Sequence, residues 1–352
     1  MKLSRVVFFV MFGCLGITSN YANQEVKIVG LVAAHNEEAL IEYCLRALSN
    51  YTDALVFLDD ASSDNTLKIA QALSDECHIK KIITKHEWIR NERADKNALL
   101  HGGREIGGTH FIMLDADEMF VASCTQDNWL RERIKQLKPG QVMTFPMMNI
   151  WASLDYYRDD QYCSPQFWKF KALKVVFADD GICNYDCNVA WGPAGIDHVV
   201  REPSNLICLE QEKYIAIADT NYGVLHYKFV DLEEVVIKRV WYMCLEFIRK
   251  NEEAENPEQY THNAQIINEF YSREFENTFI DESQIKLSPA PEHWYAYDFF
   301  DKAYFKNLSY SRKQEILAWF RKYGIEYFYN LDIWNIQWLK EMREKAEVIK
   351  IL

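Results

Sequence analysis

The sequence has nine cysteines but no C-x-x-C pair among them, which argues against a structural zinc site built from closely spaced thiolates. Positive charge is also short, with 39 Lys and Arg against 52 Asp and Glu and a formal net charge of −13. A general binder of nucleic acid or of anionic membranes is therefore disfavoured. A protein of this charge that handles phosphates needs a metal or a local cationic pocket. Beyond the first residues, no apolar run reaches the roughly 20 residues that a membrane-spanning helix requires. No internal repeat and no low-complexity linker divides the chain.

What is present is an ordinary globular composition. At 352 residues and 49% hydrophobic content the chain can bury a large core, as one big domain or two. The 14% aromatic content suits stacking on sugars or bases as well as core packing. The first residues carry Lys2 and Arg5, an apolar run from Val6 to Ile17, then Thr18 to Ala22. This is the three-part layout of a secretory signal, too short to span a bilayer as a helix. Asn20 leaves the small-residue cleavage rule half met, and a lipoprotein reading through Gly13-Cys14 fits less well. Residues 1–23 are thus expected to be a signal peptide or N-terminal anchor, directing the chain to a secretory route, export or a membrane tether. In an oxidising compartment the cysteines from Cys163 to Cys208 could form bridges. Asn50-Tyr51-Thr52 and Asn307-Leu308-Ser309 are glycosylation sequons if the host glycosylates lumenal proteins.

From Val26 onward, strand and helix patterns alternate. Apolar strands are expected at Lys27 to Ala33, Ala54 to Leu58, Ile79 to Thr84 and His110 to Leu114, with helices between them. Such spacing predicts right-handed βαβ units and a parallel sheet. Met147 to Val200 is aromatic and turn-rich, which fits a mixed sheet with long loops over a site. Asp231 to Lys250 reads as a strong amphipathic helix, followed by further helices that include Ser311 to Tyr323 and Asp332 to Ile349. The expected division is an α/β body over 24–230, with halves 26–120 and 121–230, and a helical region over 231–352 packed on it.

The organising stretch is Phe111-Ile112-Met113-Leu114-Asp115-Ala116-Asp117-Glu118. A buried strand here runs straight into three carboxylates, and the carboxyl ends of strands are where open α/β sheets place their sites. Two carboxylates one residue apart repel each other unless a cation lies between them. Oxygen ligands of this kind suit Mg2+ or Mn2+.

Two further strand ends complete a pattern. Val32-Ala33-Ala34-His35-Asn36-Glu37-Glu38 comes first, then Leu58-Asp59-Asp60-Ala61-Ser62-Ser63-Asp64-Asn65-Thr66, then the acidic stretch at Asp115. In order and spacing these resemble the motifs of family-2-type glycosyltransferases of the GT-A fold, a Rossmann-like, mostly parallel sheet flanked by helices. The resemblance covers Val26 to Phe120 closely and the rest loosely. His35 stands where that family usually has Tyr, and Ala61 where Gly is common.

The resemblance implies a nucleotide-sugar donor and a glycan, lipid or protein acceptor. It places Mn2+ or Mg2+ at Asp117, with Asp115 on the ribose or sharing the metal. It further implies that Asp60 accepts from the base and that His35, Asn36 and Glu38 belong to the donor site. Arg93 and Lys96 fall where the family sets a cation near the pyrophosphate; a solvated helix face is the other reading. A late His, here His226 in Leu225-His226-Tyr227-Lys228, would be a further metal ligand, with His198 a weaker candidate. For the base that takes the acceptor proton the candidates are Asp159, Asp160, Asp179 and Asp180, with Asp180 slightly favoured. Trp151, Tyr156, Tyr157 and Trp168 could stack on an acceptor sugar.

Two other classes compete. A nucleotidyltransferase on a similar sheet should show a Gly-rich basic loop after the first strand, whereas this loop is acidic and has no glycine. A non-catalytic carbohydrate-binding relative would keep the sheet and lack a base. The leader also sits uneasily with a nucleotide-sugar donor unless the compartment it reaches contains one.

Overall fold

The computed structural model describes residues 25–89, 91–160, 173–185, 202–252, 254, 256–278, 285–306, 308 and 311–351. The leader, and with it the signal or anchor expectation, lies outside these residues, as do Cys163, Trp168, Cys187 and His198. Among the described residues Cys44, Cys77, Cys124, Cys183, Cys208 and Cys244 are free thiols.

Strand β1 (Ile28–Ala34) is an almost unbroken apolar run because both of its faces are covered. Ile28 and Val32 point to the side where helix α1 (Ile41–Ser49) supplies Leu45 and Leu48. Val29 and Leu31 point to the other side, where helix α3 (Glu92–Glu105) supplies Leu99 and Leu100. Gly30 permits the close approach of α1, since a Cβ there would stand 2.5 Å from Leu55 and 2.7 Å from Leu48. Strands β2 (Ala54–Asp59), β3 (Ile79–Thr84) and β4 (His110–Asp115) continue the parallel set around β1, with helix α2 (Thr66–Ala72) between β2 and β3. The seven-stranded sheet has the order β10 (Tyr214–Ala216), β6 (Val142–Phe145), β9 (Leu173–Ala178), β4, β1, β2, β3.

Its second half contains β6 (Val142–Phe145), β9 (Leu173–Ala178) and β10 (Tyr214–Ala216). Only β9 is reversed, lying antiparallel to both β4 and β6. The carboxyl ends of β1, β2, β3, β4 and β6 therefore share one rim, and the end of β9 lies at the opposite one. A mostly parallel sheet flanked by helices is thus observed, the α/β architecture that the alternating strand and helix patterns predict.

Beyond β4 the chain turns at Asp115–Glu118 into β5 (Glu118–Phe120). This strand forms a small sheet with β11 (Val224–His226) and β7 (Met147–Asn149). Its register sets His226 opposite Glu118 on one side and Asn149 on the other. Helix α4 (Trp129–Lys135) lies between β5 and β6 in sequence, and an antiparallel pair of β8 (Tyr156–Arg158) with β12 (Leu287–Pro289) adds a third, two-stranded sheet.

The helical region comprises α5 (Leu232–Glu252), α6 (Pro257–Thr278), α7 (Arg312–Tyr323) and α8 (Gln337–Ile351). It has an apolar cluster of its own, built from Val240, Phe247, Ile267, Ile316, Phe328 and Leu339. Trp294, Tyr295 and Phe305, between α6 and α7, pack instead into the core beneath the sheet. The two bodies meet through charge at the strand-end rim. Arg312 of α7 binds Glu37 and, at 2.6 Å, Glu234 of α5. Lys238 of α5 reaches the same Glu37 at 3.0 Å.

Arg312 is 2% exposed, and burial pushes the Glu234 carboxyl up to about 7 even with the guanidinium beside it. Deleting one member of such a cluster leaves charge buried without its partner. Arg312→Ala should lower unfolding free energy by about 3–5 kcal/mol in urea or thermal melts. A change under about 1 kcal/mol, the scale of an exposed pair, would contradict a buried joint.

Candidate active site

The first two strand ends are bolted to each other by side-chain hydrogen bonds to backbone. Asn36 sits in the left-handed region at φ 53, and its Oδ1 accepts from the Ser63 backbone N–H at 2.7 Å. Its own N–H donates to Ser62 Oγ at 3.0 Å. Glu37 N–H donates to Thr66 Oγ1 at 2.8 Å, and Glu38 N–H to Asp64 Oδ2 at 3.1 Å. The Glu38 carboxylate accepts from the Asn65 backbone N–H at 3.1 Å and from Asn65 Nδ2 at 2.9 Å. Glu38, expected to belong to the donor site, is thus turned onto the start of α2 and positions the loop. Ala61, in the place usual for Gly, takes φ 56, a conformation costing an L-residue roughly 1–2 kcal/mol. The chain keeps the turn without the glycine.

His35 donates Nδ1–H to the Asp60 carbonyl at 2.5 Å and packs against Trp241 of α5, with ring centroids 5.2 Å apart, and against Trp88 at 6.0 Å. Burial pushes its imidazole down to about 4, so it is neutral. Asp60 faces the Lys85 ammonium at 2.5 Å, and Lys85 also holds Asp95 at 3.0 Å. Burial pushes the Asp60 carboxyl up to about 6 in spite of that cation. The positive charge at this strand end is Lys85, on the chain just after β3. Lys96 is buried on α3, pairs with Glu92 at 3.4 Å and lies 5.9 Å over the Tyr185 ring, while Arg93 is exposed on the first turn of that helix.

At the end of β4, the Asp115 N–H donates to Glu118 Oε2 at 3.0 Å, closing the turn. The Asp117 carbonyl accepts from Tyr227 N–H at 2.8 Å, which ties this turn to the chain leaving β11. The same tie brings His226 Nε2 to 3.8 Å from Asp117 Oδ2. His226 donates Nδ1–H to Asn149 Oδ1 at 2.8 Å, which orients the ring and leaves Nε2 as the lone-pair nitrogen. Burial pushes the His226 imidazole down to about 4, against the pull of Asp117, so that lone pair is available at neutral pH. Two ligands of one octahedral cation, each at about 2.1 Å, stand about 3 to 4 Å apart. The Asp117–His226 spacing and donor types fit that requirement.

Asp180 is the main correction. Because β9 runs antiparallel to β4, Asp179 and Asp180 emerge beside Thr109 at the opposite rim, a six-residue strand or about 20 Å away. Asp180 accepts backbone N–H bonds from Ile182 at 3.0 Å, Cys183 at 2.7 Å and Ile207 at 2.8 Å, the work of a turn staple. Asp179, Asp180 and Cys183 do have the spacing of metal donors. However, Arg104 already clamps Asp179 with bonds of 2.7 and 2.6 Å. Asp160 is paired with the buried Arg158 at 2.5 Å. Asp159 follows β8, and its Oδ2 accepts from Ser288 Oγ at 2.9 Å and faces Lys286 at 3.6 Å. Trp151 stacks on Phe229 at 5.1 Å, and Phe229 stands edge-on to His226 at 5.7 Å.

Sequence reasoning did not find Lys238, Arg312, Glu315, Trp241, Lys85 or Asn149. Glu315 of α7 accepts from Asn36 Nδ2, from Ser63 Oγ at 3.1 Å and from Trp241 Nε1–H at 3.0 Å, so the helical region grips both nucleotide-side loops. One signal was available: Glu234, Lys238 and Trp241 recur at i, i+4 and i+7, which puts a charged pair on the face of α5 that also bears a buried tryptophan.

The two imidazoles set an acid limit on stability. Each has a folded pKa of about 4 against an ordinary value of 6.5. The unfolded chain therefore takes up protons first, and the stability present above pH 6.5 is lost as pH falls towards 4. Asp60 acts with the opposite sign between its ordinary value of 3.8 and about 6. In thermal melts the advantage of wild type over His226→Asn should shrink as pH is lowered through this window. Parallel pH profiles for the two proteins would contradict a buried neutral imidazole.

The model of the glycosyl transferase family 2 matches residues 31–190. An uncharacterized glycosyltransferase of Rickettsia bellii (strain RML369-C) is 28% identical over 123 residues, 32% of this chain, and the chain spans 38% of that relative. Among solved structures, S. aureus TarS 1-349 is 15% identical over 71% of this chain and 72% of its own, with a TM-score of 0.39. The mannosyltransferase PcManGT from Pyrobaculum calidifontis, in complex with GDP-Man and Mn2+, is 14% identical over 91% of this chain and 93% of its own, also at a TM-score of 0.39. Residues 31–190, which carry all three strand-end motifs, are thus similar to the glycosyl transferase family 2.

Proposed function

We propose that this protein transfers a sugar from a nucleotide-sugar donor to an acceptor hydroxyl, using a divalent cation, Mn2+ or Mg2+, held at Asp117 and His226. The observation that carries this reading is the pairing of an acidic oxygen with a neutral, pre-oriented imidazole nitrogen 3.8 Å away at the carboxyl rim of the sheet. When bound, the cation supplies Lewis-acid stabilisation of the departing diphosphate. The residues around it perform the remaining work. Asp60, ionised at neutral pH, accepts from the base, and the neutral His35 ring flanks it. Asp115 accepts from the ribose or shares the cation. Asn36 and Glu38 hold the two loops in register, so the base meets a preformed edge.

The acceptor proton needs a carboxylate on the rim side. With Asp180 at the far rim, Asp159 takes this role in our reading. We take the acceptor to be a glycan, lipid or protein hydroxyl, and residues 1–23 to direct the chain to a secretory compartment or tether it to a membrane.

Release of nucleoside diphosphate from UDP- and GDP-sugars, measured with Mn2+ and with excess chelator, tests this reading. Turnover should require the cation. Asp117→Ala should lower it at least 1,000-fold, equivalent to about 4 kcal/mol of transition-state stabilisation, while the melting temperature stays within a few degrees. Undiminished release by Asp117→Ala, or release unaffected by chelator, would remove the cation from the reaction. No release from any donor would favour a binding protein.

A further inference from the structure

Lys238 stands where its charge matters to the rim as well as to the fold. Its ammonium lies 3.0 Å from Glu37 Oε1 and 3.6 Å from Asp117 Oδ2, with the side chain 19% exposed. Glu37 is also bound by Arg312, so Lys238 shares that carboxylate with a second cation. An ammonium has three donors. Among the described residues the hydrogen bond of Lys238 is to Glu37, and 3.6 Å to Asp117 is an electrostatic contact beyond hydrogen-bond length. The group is a compact point charge on a flexible stem, able to swing between neighbouring anions. It therefore presents one positive charge to the carboxylate that also faces His226 Nε2 at 3.8 Å.

Resting on the reading above, we propose that Lys238 makes cation and donor binding interdependent. It neutralises Asp117 while the site lacks ligand, and it turns to the diphosphate when nucleotide and cation arrive together. The helical region thereby contributes a positioning residue to the diphosphate site. Two consequences of opposite sign follow. With no diphosphate present, a divalent cation near Asp117 meets a like charge a few ångströms away, and its affinity is reduced. With diphosphate present, the ammonium has an anion to pair with and adds to its affinity. A residue that merely docked α5 on the sheet would, on removal, weaken both.

Isothermal titration and Mn2+ electron paramagnetic resonance can separate these on the full chain. The probes are Mn2+ alone, then a panel of UDP, GDP, ADP and CDP at saturating Mn2+. Lys238→Met should bind Mn2+ alone at least ten-fold more tightly than wild type and should bind the preferred diphosphate at least ten-fold more weakly. Its affinity for the corresponding nucleoside should stay within two-fold. Lys238→Arg should retain most of the diphosphate affinity. If Lys238→Met fails to fold, Lys238→Gln, which can keep a hydrogen bond to Glu37, carries the same comparison. Mn2+ affinity that is unchanged or weaker in the variant, alongside normal wild-type binding of the diphosphate, would overturn the role of Lys238 and leave the proposed transferase intact. Absence of Mn2+ and diphosphate binding in wild type would overturn both.

Discussion

One carboxylate, that of Glu37, joins the two halves of this protein. It emerges from the first strand, is bound by Arg312 of α7 and Lys238 of α5, and is 7% exposed. Burying three charged groups is expensive unless each is paired, so the arrangement holds only with α5, α7 and the end of β1 all in place. The two larger apolar clusters are distinct, and the ions share the joint with Trp241 against His35 and Trp88 and with Val235 against Trp151 and Phe229. That meeting point coincides with the rim, where the second carboxylate reached by Lys238 is Asp117.

This geometry was legible in the sequence up to a definable limit. The strand ends at Asn36, Asp60 and Asp115 could be read because each is a local pattern, an apolar run followed by a polar cluster, and because their order is specific. His226 could be proposed because it stands at a strand end and the resemblance implies a late histidine. Its approach to Asp117 depends on pairing of β11 with β5, which local periodicity does not encode. Asp180 failed for a related reason. Leu173 to Ala178 lies inside the stretch read as mixed sheet with long loops over a site, and its antiparallel pairing with β4 carries Asp180 to the opposite rim. Lys238 and Arg312 were out of reach because their partnership with Glu37 spans 201 and 275 residues. Ala61 shows the converse. A departure from the family pattern leaves the turn unchanged, because its neighbours force an alanine into the left-handed region.

The electrostatic state of the site follows from burial more than from pairing. Burial keeps both His35 and His226 neutral, which suits one for a ring contact and the other for donating a lone pair. Burial also raises Asp60, though not enough to protonate it at neutral pH. The cations at the rim include Lys85, from the third strand end, and Lys238, from the helical region, and each lies between two carboxylates, Asp60 and Asp95 for the first and Glu37 and Asp117 for the second.

The central claim is that the carboxyl rim, at Asp117 and His226, is the seat of cation and diphosphate. The most direct measurement is a crystal structure of the full chain soaked with Mn2+ and its preferred nucleoside diphosphate, with the cation located by anomalous scattering. The account predicts one strong peak within about 2.3 Å of Asp117 Oδ2 and His226 Nε2, with phosphate oxygens on the same ion. A peak at Asp179, Asp180 and Cys183 instead, or a nucleotide bound away from the rim, would contradict it.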